Sequence, residues 1–381
     1  MNKIKGYKAF NKGLKCRDMQ YEVGKTYKMD NEPNCCEEGY HLCENPLDTL
    51  DYYSLIDSEF AEVEAIGKIS RKKDSDDTKL ATNKIKIGAK LDLKGFVQAS
   101  VDFLIEHCKP SKEGEQASSG YNSKLASSGY NSQLASSGDN SQLASSGYNS
   151  QLASSGDNSQ LASSGYNSKL ASSGYNSKLA SSGYNSKLAS SGDNSQLASS
   201  GYNSKLASSG YNSQLASSGD NSQLASSGYN SKLASSGDNS QLASSGYNSQ
   251  LASSGDNSKL ASSGYNSKLA SSGYNSQLAS SGYNSQLASS GDYSQLASSG
   301  YYSKVEHTEG KPTVVCNIGV YGRAKGIKGD ILVLAEYKEL DLKKYKTYVY
   351  KPLEVKSIKV DGKKIKENTF YHLEDGQFKE D

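Results

Sequence analysis

The densest cluster of side chains able to do chemistry is N-C-C-E-E-G-Y-H-L-C, residues 34–43. Cys35, Cys36, His41 and Cys43, with Cys16 upstream, are zinc-ligand types. The spacing is not a pair of C-x-x-C motifs, and adjacent cysteines rarely both reach one tetrahedral ion. Buried thiols beside a strand-end histidine are the expected role; zinc binding and redox sensing are the rivals. Gly319, Gly322, Gly326 and Gly329, with Arg323, Lys325 and Lys328, suggest a phosphate loop. Their spacing fits neither the Walker nor the dinucleotide pattern, and no helix follows. An irregular last coil running into a cap fits them better. The four histidines, His41, His107, His307 and His372, assemble no Ser-His-Asp or Cys-His-Asn set. No catalytic residue, cofactor or metal is therefore assigned, and an enzymatic role is left open but disfavoured.

The elements that must position any such residues are unusual. The 381-residue chain has a formal net charge of +2, no Trp, 3 Met and 5 Pro, but 36 Gly and 28 Tyr. Near neutrality argues against a nucleic-acid partner held through phosphates. No run is long enough to span a membrane, and the N-terminal stretch MNKIKGYKAFNKGL lacks a signal-peptide core. The six cysteines are then expected as thiols in a cytoplasm, with release by lysis open as another route.

Gly recurs at every ninth position from Gly120 to Gly300, which makes 21 repeats of A-S-S-G-[YD]-N-S-[KQ]-L. A flexible Ser/Gly linker needs no fixed period and no Leu in every unit. A solenoid needs both, because each coil buries its face on the next. Nine residues are too few to close a coil. Asp139, Asp157 and Asp193 lie multiples of 18 apart, and Asp220, Asp238, Asp256 and Asp292 do so with the opposite parity. The structural unit is therefore two repeats: two short strands and two tight turns. With strands about 4.8 Å apart, some ten coils give a rod of roughly 50 Å.

Alternation assigns the faces. Lys124 faces water, so Ser123, Leu125 and Ser127 point inward, while Ala126 and Ser128 join Lys124 outside. Gly129, Tyr130 and Asn131 make the corner, with Gly supplying the positive φ and Asn tolerating a left-handed conformation. Stacked Asn side chains are expected to form ladders, and the inward Ser hydroxyls to bond backbone carbonyls. Fourteen repeats carry Tyr after Gly: Tyr121, Tyr130, Tyr148, Tyr166, Tyr175, Tyr184, Tyr202, Tyr211, Tyr229, Tyr247, Tyr265, Tyr274, Tyr283 and Tyr301. Stacked coils would line these rings into ladders, rigid amphipathic strips suited to contact and to pairing two rods. Asp never occupies two successive repeats, and the array's nine Lys and seven Asp are spread along it, which is expected to limit like-charge stacking.

The alternation of A-S-S-G-Y-N-S-Q-L with A-S-S-G-D-N-S-Q-L resembles the tandem repeats of bacterial ice-nucleation proteins. Those are described as flat β-solenoids that pair through a tyrosine ladder. The resemblance covers about half the chain and implies an ice- or water-ordering surface. The outward Thr-x-Thr rows of ice-binding faces are missing here, and Lys and Gln interrupt the flat face. Calcium-binding nonapeptide repeats (G-G-x-G-x-D-x-U-x) are a further likeness, but they carry more Gly per unit and a regular Asp. The order YEVGKTY, EEGYHLCENPLDTLDYY, EFAEVEAIGKI resembles mono-ADP-ribosyltransferase-like folds. The characteristic Ser-Thr-Ser is replaced by His41-Leu42-Cys43. Glu62 and Glu64 have Glu-x-Glu spacing, although alternating acids on an exposed strand give the same pattern. That likeness implies an N-terminal nucleotide-binding or transferase domain carried on a spacer. Residues 1–108 look like an uncharacterised domain of phage and gut-bacterial proteins. Those proteins often join similar arrays to a tail like GDILVLAEY…VKSIKVDG…IKENTFYHLEDGQF. This resemblance spans nearly the whole chain, and it implies phage or prophage association and no particular activity.

The flanks read as two further regions. Residues 1–116 form a small α/β domain that caps the first coil, because an open coil end exposes a strand edge. Its elements are a helix from Asn45-Pro46 to about Tyr53, strands over 59–69 and 84–93, and a helix over 94–107 carrying Phe96, Val97, Val101, Leu104 and Ile105. Residues 306–381 form a β-rich cap, with strands over VVCNIGVYG and GDILVLAEY and a hairpin about Asp361-Gly362. The expected fold is mainly β: a β-solenoid over 117–305 of about ten 18-residue coils, capped at both ends. The expected function is a non-enzymatic rod, cytoplasmic or virion-associated. Its partners would be a second copy through the tyrosine ladder or another protein, with no membrane and no nucleic acid.

Overall fold

The computed structural model describes residues 3–53, 58–72, 77–91, 96, 99, 103, 115–342 and 347–381. It divides into two compact units, 1–206 and 207–381, with the boundary inside the repeat array.

In the first unit, the N-terminal region is an antiparallel sheet. Its strands are β1 (Ile4–Asn11), β2 (Lys15–Cys16), β3 (Met19–Gln20), β4 (Thr26–Lys28), β5 (Tyr40–Cys43), β6 (Ser58–Ala65), β7 (Ile69–Arg71), β8 (Lys79–Thr82) and β9 (Lys84–Leu91). Their order is β4-β9-β6-β1-β5-β8-β7, with the β2–β3 hairpin hanging from β1. β6 and β9 are the two strands expected from alternation. The helix expected after Asn45 is a single 3-10 stretch, Pro46–Asp51. The Asn45 amide donates to Asp48 Oδ1 at 3.1 Å. Phe96, Ala99 and Phe103 are helical, at positions that share one face; Val97, Val101, Leu104 and Ile105 of the predicted helix lie outside the described residues.

Both faces of this sheet are covered. One carries a core of Phe10, Tyr21, Leu42, Val63, Leu80 and Ile85. The other brings Ala9, Phe60 and Phe96 against Ala144, Ala162, Ala180 and Ala198 of the array. The N-terminal region thus meets the array on an alanine face, whereas a contact with the coil end was expected. Small side chains allow that approach. Polar groups complete the contact: Gln160 donates to Asp48 Oδ1 and accepts from the Asn45 amide, each at 3.1 Å, and all three residues are buried.

The array folds as a β-solenoid. Each [KQ]-L-A-S segment is a four-residue strand, and alternate segments stack into two parallel sheets. Pairing is between residues 18 apart: Leu134 with Leu152, and Leu143 with Leu161. Leu134, Leu143, Leu152 and Leu161 are essentially inaccessible, as are Ser132 and Ser141. The inward set is therefore Leu with the first and third Ser of each repeat, as alternation required. The hydroxyls satisfy one another in a relay. Gly147 N donates to Ser145 Oγ at 3.2 Å, Ser145 and Ser150 hydroxyls bond at 2.6 Å, and Ser150 Oγ donates to Gly147 O at 2.7 Å. Two inward Ser thus close this corner without leaving the N–H or carbonyl of Gly147 unpaired.

The corner differs from expectation in one respect. Asn, not Gly, holds the left-handed conformation, with φ of 60° at Asn131 and 52° at Asn149. Gly is required for a different reason. A Cβ on Gly147 would lie 1.8 Å from the carbonyl oxygen of Gly129 in the preceding coil. The Asn ladder forms: Asn149 Nδ2 donates to Asn131 Oδ1 at 3.0 Å.

In the second unit the strands pair by the same 18-residue register, with Leu233 on Leu251 and Leu278 on Leu296. Parallel pairing outlasts the repeats: Val305 pairs with Ala324 and Val315 with Leu332. Ile331–Leu342 then pairs back with Thr347–Lys359 as a long antiparallel hairpin. A second hairpin, Tyr371–Glu374 with Gln377–Glu380, pairs through Tyr371 with Ala324 on the other sheet. Antiparallel hairpins thus finish both parallel sheets. The predicted hairpin about Asp361-Gly362 is a tight loop instead. Asp361 Oδ1 accepts from the N–H groups of Lys363 (2.8 Å) and Ile365 (3.0 Å), so the side chain replaces a strand partner. In the last coil His307 takes an inward Ser position. Its Nδ1 lies 2.9 Å from Asp330 Oδ2, and both residues are fully buried.

Candidate functional site

The outward corner residues form two kinds of column. In the first unit Tyr130, Tyr148, Tyr166, Tyr184 and Tyr202 stack with centroids 5.0–5.8 Å apart and planes within 26°. In the second unit Tyr211, Tyr229, Tyr247, Tyr265 and Tyr283 stack at 4.8–5.6 Å. The coil spacing imposes this distance, and it is the offset-stacking range, worth about 0.5–1.5 kcal/mol per pair. Each ring is covered by its neighbours above and below yet leaves an edge in water: Tyr148 is 47% and Tyr247 40% exposed.

The other predicted tyrosines fall outside these stacks. Tyr175 stands in a column with Asp139, Asp157 and Asp193 and accepts from Asn194 Nδ2. Tyr121 is 63% exposed in the first repeat. Tyr274 meets Tyr293 edge-on, and Tyr301 meets Tyr350 edge-on. Sequence reasoning missed Tyr302 and Tyr321 as ladder members: Tyr283 passes the column to Tyr302, which stacks on Tyr321 at 4.8 Å. The signal was present, since Tyr293 and Tyr302 replace Asn beside the corner.

Asp columns behave differently. Asp139 Oδ1 accepts the N–H of Asp157 at 2.9 Å, and Asp157 Oδ1 that of Tyr175 at 2.8 Å. Asp220, Asp238 and Asp256 repeat the pattern in the second unit. Like charges are therefore stacked, contrary to the expectation from their spacing along the chain. The relevant separation is 18 residues, and each carboxylate is offset by a backbone donor. Lys169 likewise lies beside Lys187 in register.

The cysteine-rich stretch is placed around a cavity of the N-terminal sheet. Cys36, His41 and Cys43 line it, together with Cys16. Cys35 Sγ lies 3.9 Å from Cys36 Sγ. The backbone N–H of Cys36 donates to His41 Nε2 at 3.0 Å, which occupies that nitrogen. Burial, with the charges of nearby Lys and Arg side chains, lowers the His41 pKa to about 4, so its imidazole is neutral near pH 7. Among the described residues no three His, Cys, Asp or Glu side chains converge as metal ligands. Glu62 and Glu64 face Lys5 and Lys3 in ion pairs at 3.8 and 3.7 Å. Arg323 pairs with Asp381 at 2.6 Å and Lys325 with Glu306 at 2.6 Å, so these cations of the Gly-rich loop are engaged within the coil.

These features define a tyrosine-laddered β-solenoid with a separate N-terminal sheet. Residues 4–99 match the family described as a domain of unknown function, DUF7666. No curated protein and no solved structure matches the chain. Among the described residues no helix is long and apolar enough to cross a membrane.

Proposed function

We propose that the chain is a structural rod whose tyrosine columns are contact strips that pair it with a second copy. The observation that carries this reading is the stacking of ten corner tyrosines into two columns with exposed edges. Stacking pre-orders the rings, so little side-chain entropy remains to be lost on contact. Two such strips facing one another would bury apolar ring edges while leaving the hydroxyls hydrated. The setting in this reading is a phage or prophage, in the virion or the host cytoplasm, on the strength of the resemblance of both flanks.

The test is the mass in solution of the full chain and of a variant with Tyr148, Tyr166, Tyr184, Tyr229, Tyr247 and Tyr265 all replaced by Ser. The parent is expected at twice its 40.8 kDa chain mass and the variant at 40.8 kDa. A monomeric parent, or a variant that stays dimeric, overturns the pairing.

A further inference from the structure

The N-terminal sheet holds a cavity of about 660 Å³ that the rod reading does not use. Its rim is formed by exposed side chains, among them Arg17, Asp18 and Glu37. Deeper in, Lys8 lines it with only 6% of its surface accessible. Strand alternation puts Lys8 on the same face as Phe10, and its Nζ lies 5.5 Å from that ring and 5.9 Å from the ring of Tyr21. Nζ donates to the carbonyl of His41 at 2.9 Å. The Cys16 thiol is its neighbour, and Cys16 Sγ in turn lies 3.2 Å from the Tyr53 hydroxyl. Among the described residues no carboxylate forms an ion pair with Lys8.

A lysine in this position is costly as a cation. Burial disfavours the charge and Arg17 repels it, so its pKa is lowered. Lysines become nucleophilic in two settings: desolvated in an apolar pocket, or beside another cation. The first is present here. The wall adds the aromatic rings of Tyr7, Tyr40 and Tyr52. The thiol and the phenol supply a proton-transfer pair within reach of the amine.

We propose that this cavity binds small aromatic aldehydes and that Lys8 captures them as an imine. The amine lone pair adds to the carbonyl carbon, forming the C–N bond, and the oxygen takes a proton from the Cys16 thiol. The nitrogen then returns a proton to Cys16. A second proton passes the same way from nitrogen to oxygen, the C–O bond breaks, and water leaves as C=N forms. Nothing is oxidised or reduced, and Cys16 ends as it began. Tyr53 acts as a positioning residue that orients the Cys16 thiol.

The experiment treats the full chain with pyridoxal, reduces any imine with borohydride, and maps the modified lysine by peptide mass. Each unit by which a lysine's pKa is lowered raises its neutral fraction near pH 7 about tenfold. Lys8 is therefore expected to be labelled faster than the exposed Lys12 and Lys28. Lys8→Arg should remove the fast phase, and Cys16→Ser should slow it. Labelling of Lys8 no faster than that of Lys12 and Lys28 overturns the proposal, as does an unlabelled Lys8. Mapping on the unsubstituted chain reads the site directly, so a variant that fails to fold leaves the decision intact.

Discussion

At the scale of single residues, the corner separates two roles usually given to one amino acid. Asn248 holds φ at 54°, whereas Gly246 is needed because a Cβ there would lie 1.9 Å from the carbonyl oxygen of Gly228. The two demands predict different costs. Asn248→Ala keeps the coil and loses about 1–2 kcal/mol, from the left-handed conformation of a residue with a Cβ. Gly246→Ala drives a side-chain atom into backbone, which no rotamer relieves, and should cost more than about 4 kcal/mol. Denaturant unfolding of the two variants measures the difference, and equal losses would refute the assignment. His41 carries a second residue-scale expectation. An unfolded histidine titrates near 6.5, while the folded His41 resists protonation until about pH 4. Between those values the unfolded chain binds the extra proton, so the stability of the first unit should fall as pH drops from about 6.5 towards 4. The His41 imidazole resonances, followed by NMR through that range, should stay those of the neutral ring.

At the scale of elements, one four-residue strand serves three surfaces. Its Leu and Ser face the interior, and its Lys or Gln and its Ala face water or a partner. Ala162 is fully buried beneath the N-terminal sheet, whereas Ala153, on the other sheet, is exposed. Identical substitutions should therefore part company. Ala162→Glu places a carboxylate in an apolar interface and should detach the N-terminal sheet, made visible by rapid proteolysis of residues 1–116. Ala153→Glu should leave the digestion pattern unchanged. The last coil shows how the lattice ends. His307 and Asn317 occupy inward positions filled elsewhere by Ser. Asp330 holds His307 and accepts the N–H groups of Thr313 (2.7 Å) and Ile327 (2.8 Å). A regular Ser relay is thus exchanged for one buried acid that ties the coil to the loop before the closing hairpin.

At the scale of the whole molecule, the unit of the architecture is two repeats. Deleting residues 241–258 removes one coil and returns every downstream strand to its own sheet. Deleting residues 241–249 moves every downstream strand to the other sheet. The cap hairpins move with the strands they pair with, Val315–Leu332 and Ala324–Tyr371, but Asp256 then follows Tyr229 and Tyr265 follows Asp238, so the tyrosine column is broken at the junction. The longer deletion rejoins Tyr229 to Tyr265 and should lower Tm only slightly, while the shorter one loses that stacking and should lower it further. Similar melting of the two deletions would show that the nine-residue repeat is itself the unit.

Much of this was legible in the letters alone. The 18-residue coil, the inward Leu and Ser, the Asn ladder and the tyrosine columns all follow from period and alternation, because a stacked lattice repeats each local choice along its axis. The β6 and β9 strands followed from alternation in the same way. What the letters did not carry depends on contacts across coils or between distant segments. Which corner residue is strained and which is merely crowded is decided by the carbonyl of the preceding coil. The 18-residue spacing of Asp220, Asp238 and Asp256 already put them in one column, but not the N–H of the next coil that each carboxylate accepts. The docking of the N-terminal sheet on Ala144, Ala162 and Ala180 left no mark in repeats identical to their exposed neighbours. The cavity gathers Lys8, Cys16, His41 and Tyr53 from four separate segments, and only folding removes water from the lysine among them. Periodicity is a local property and survives in the sequence. Desolvation is a property of everything packed around a group, and the tertiary structure alone decides it.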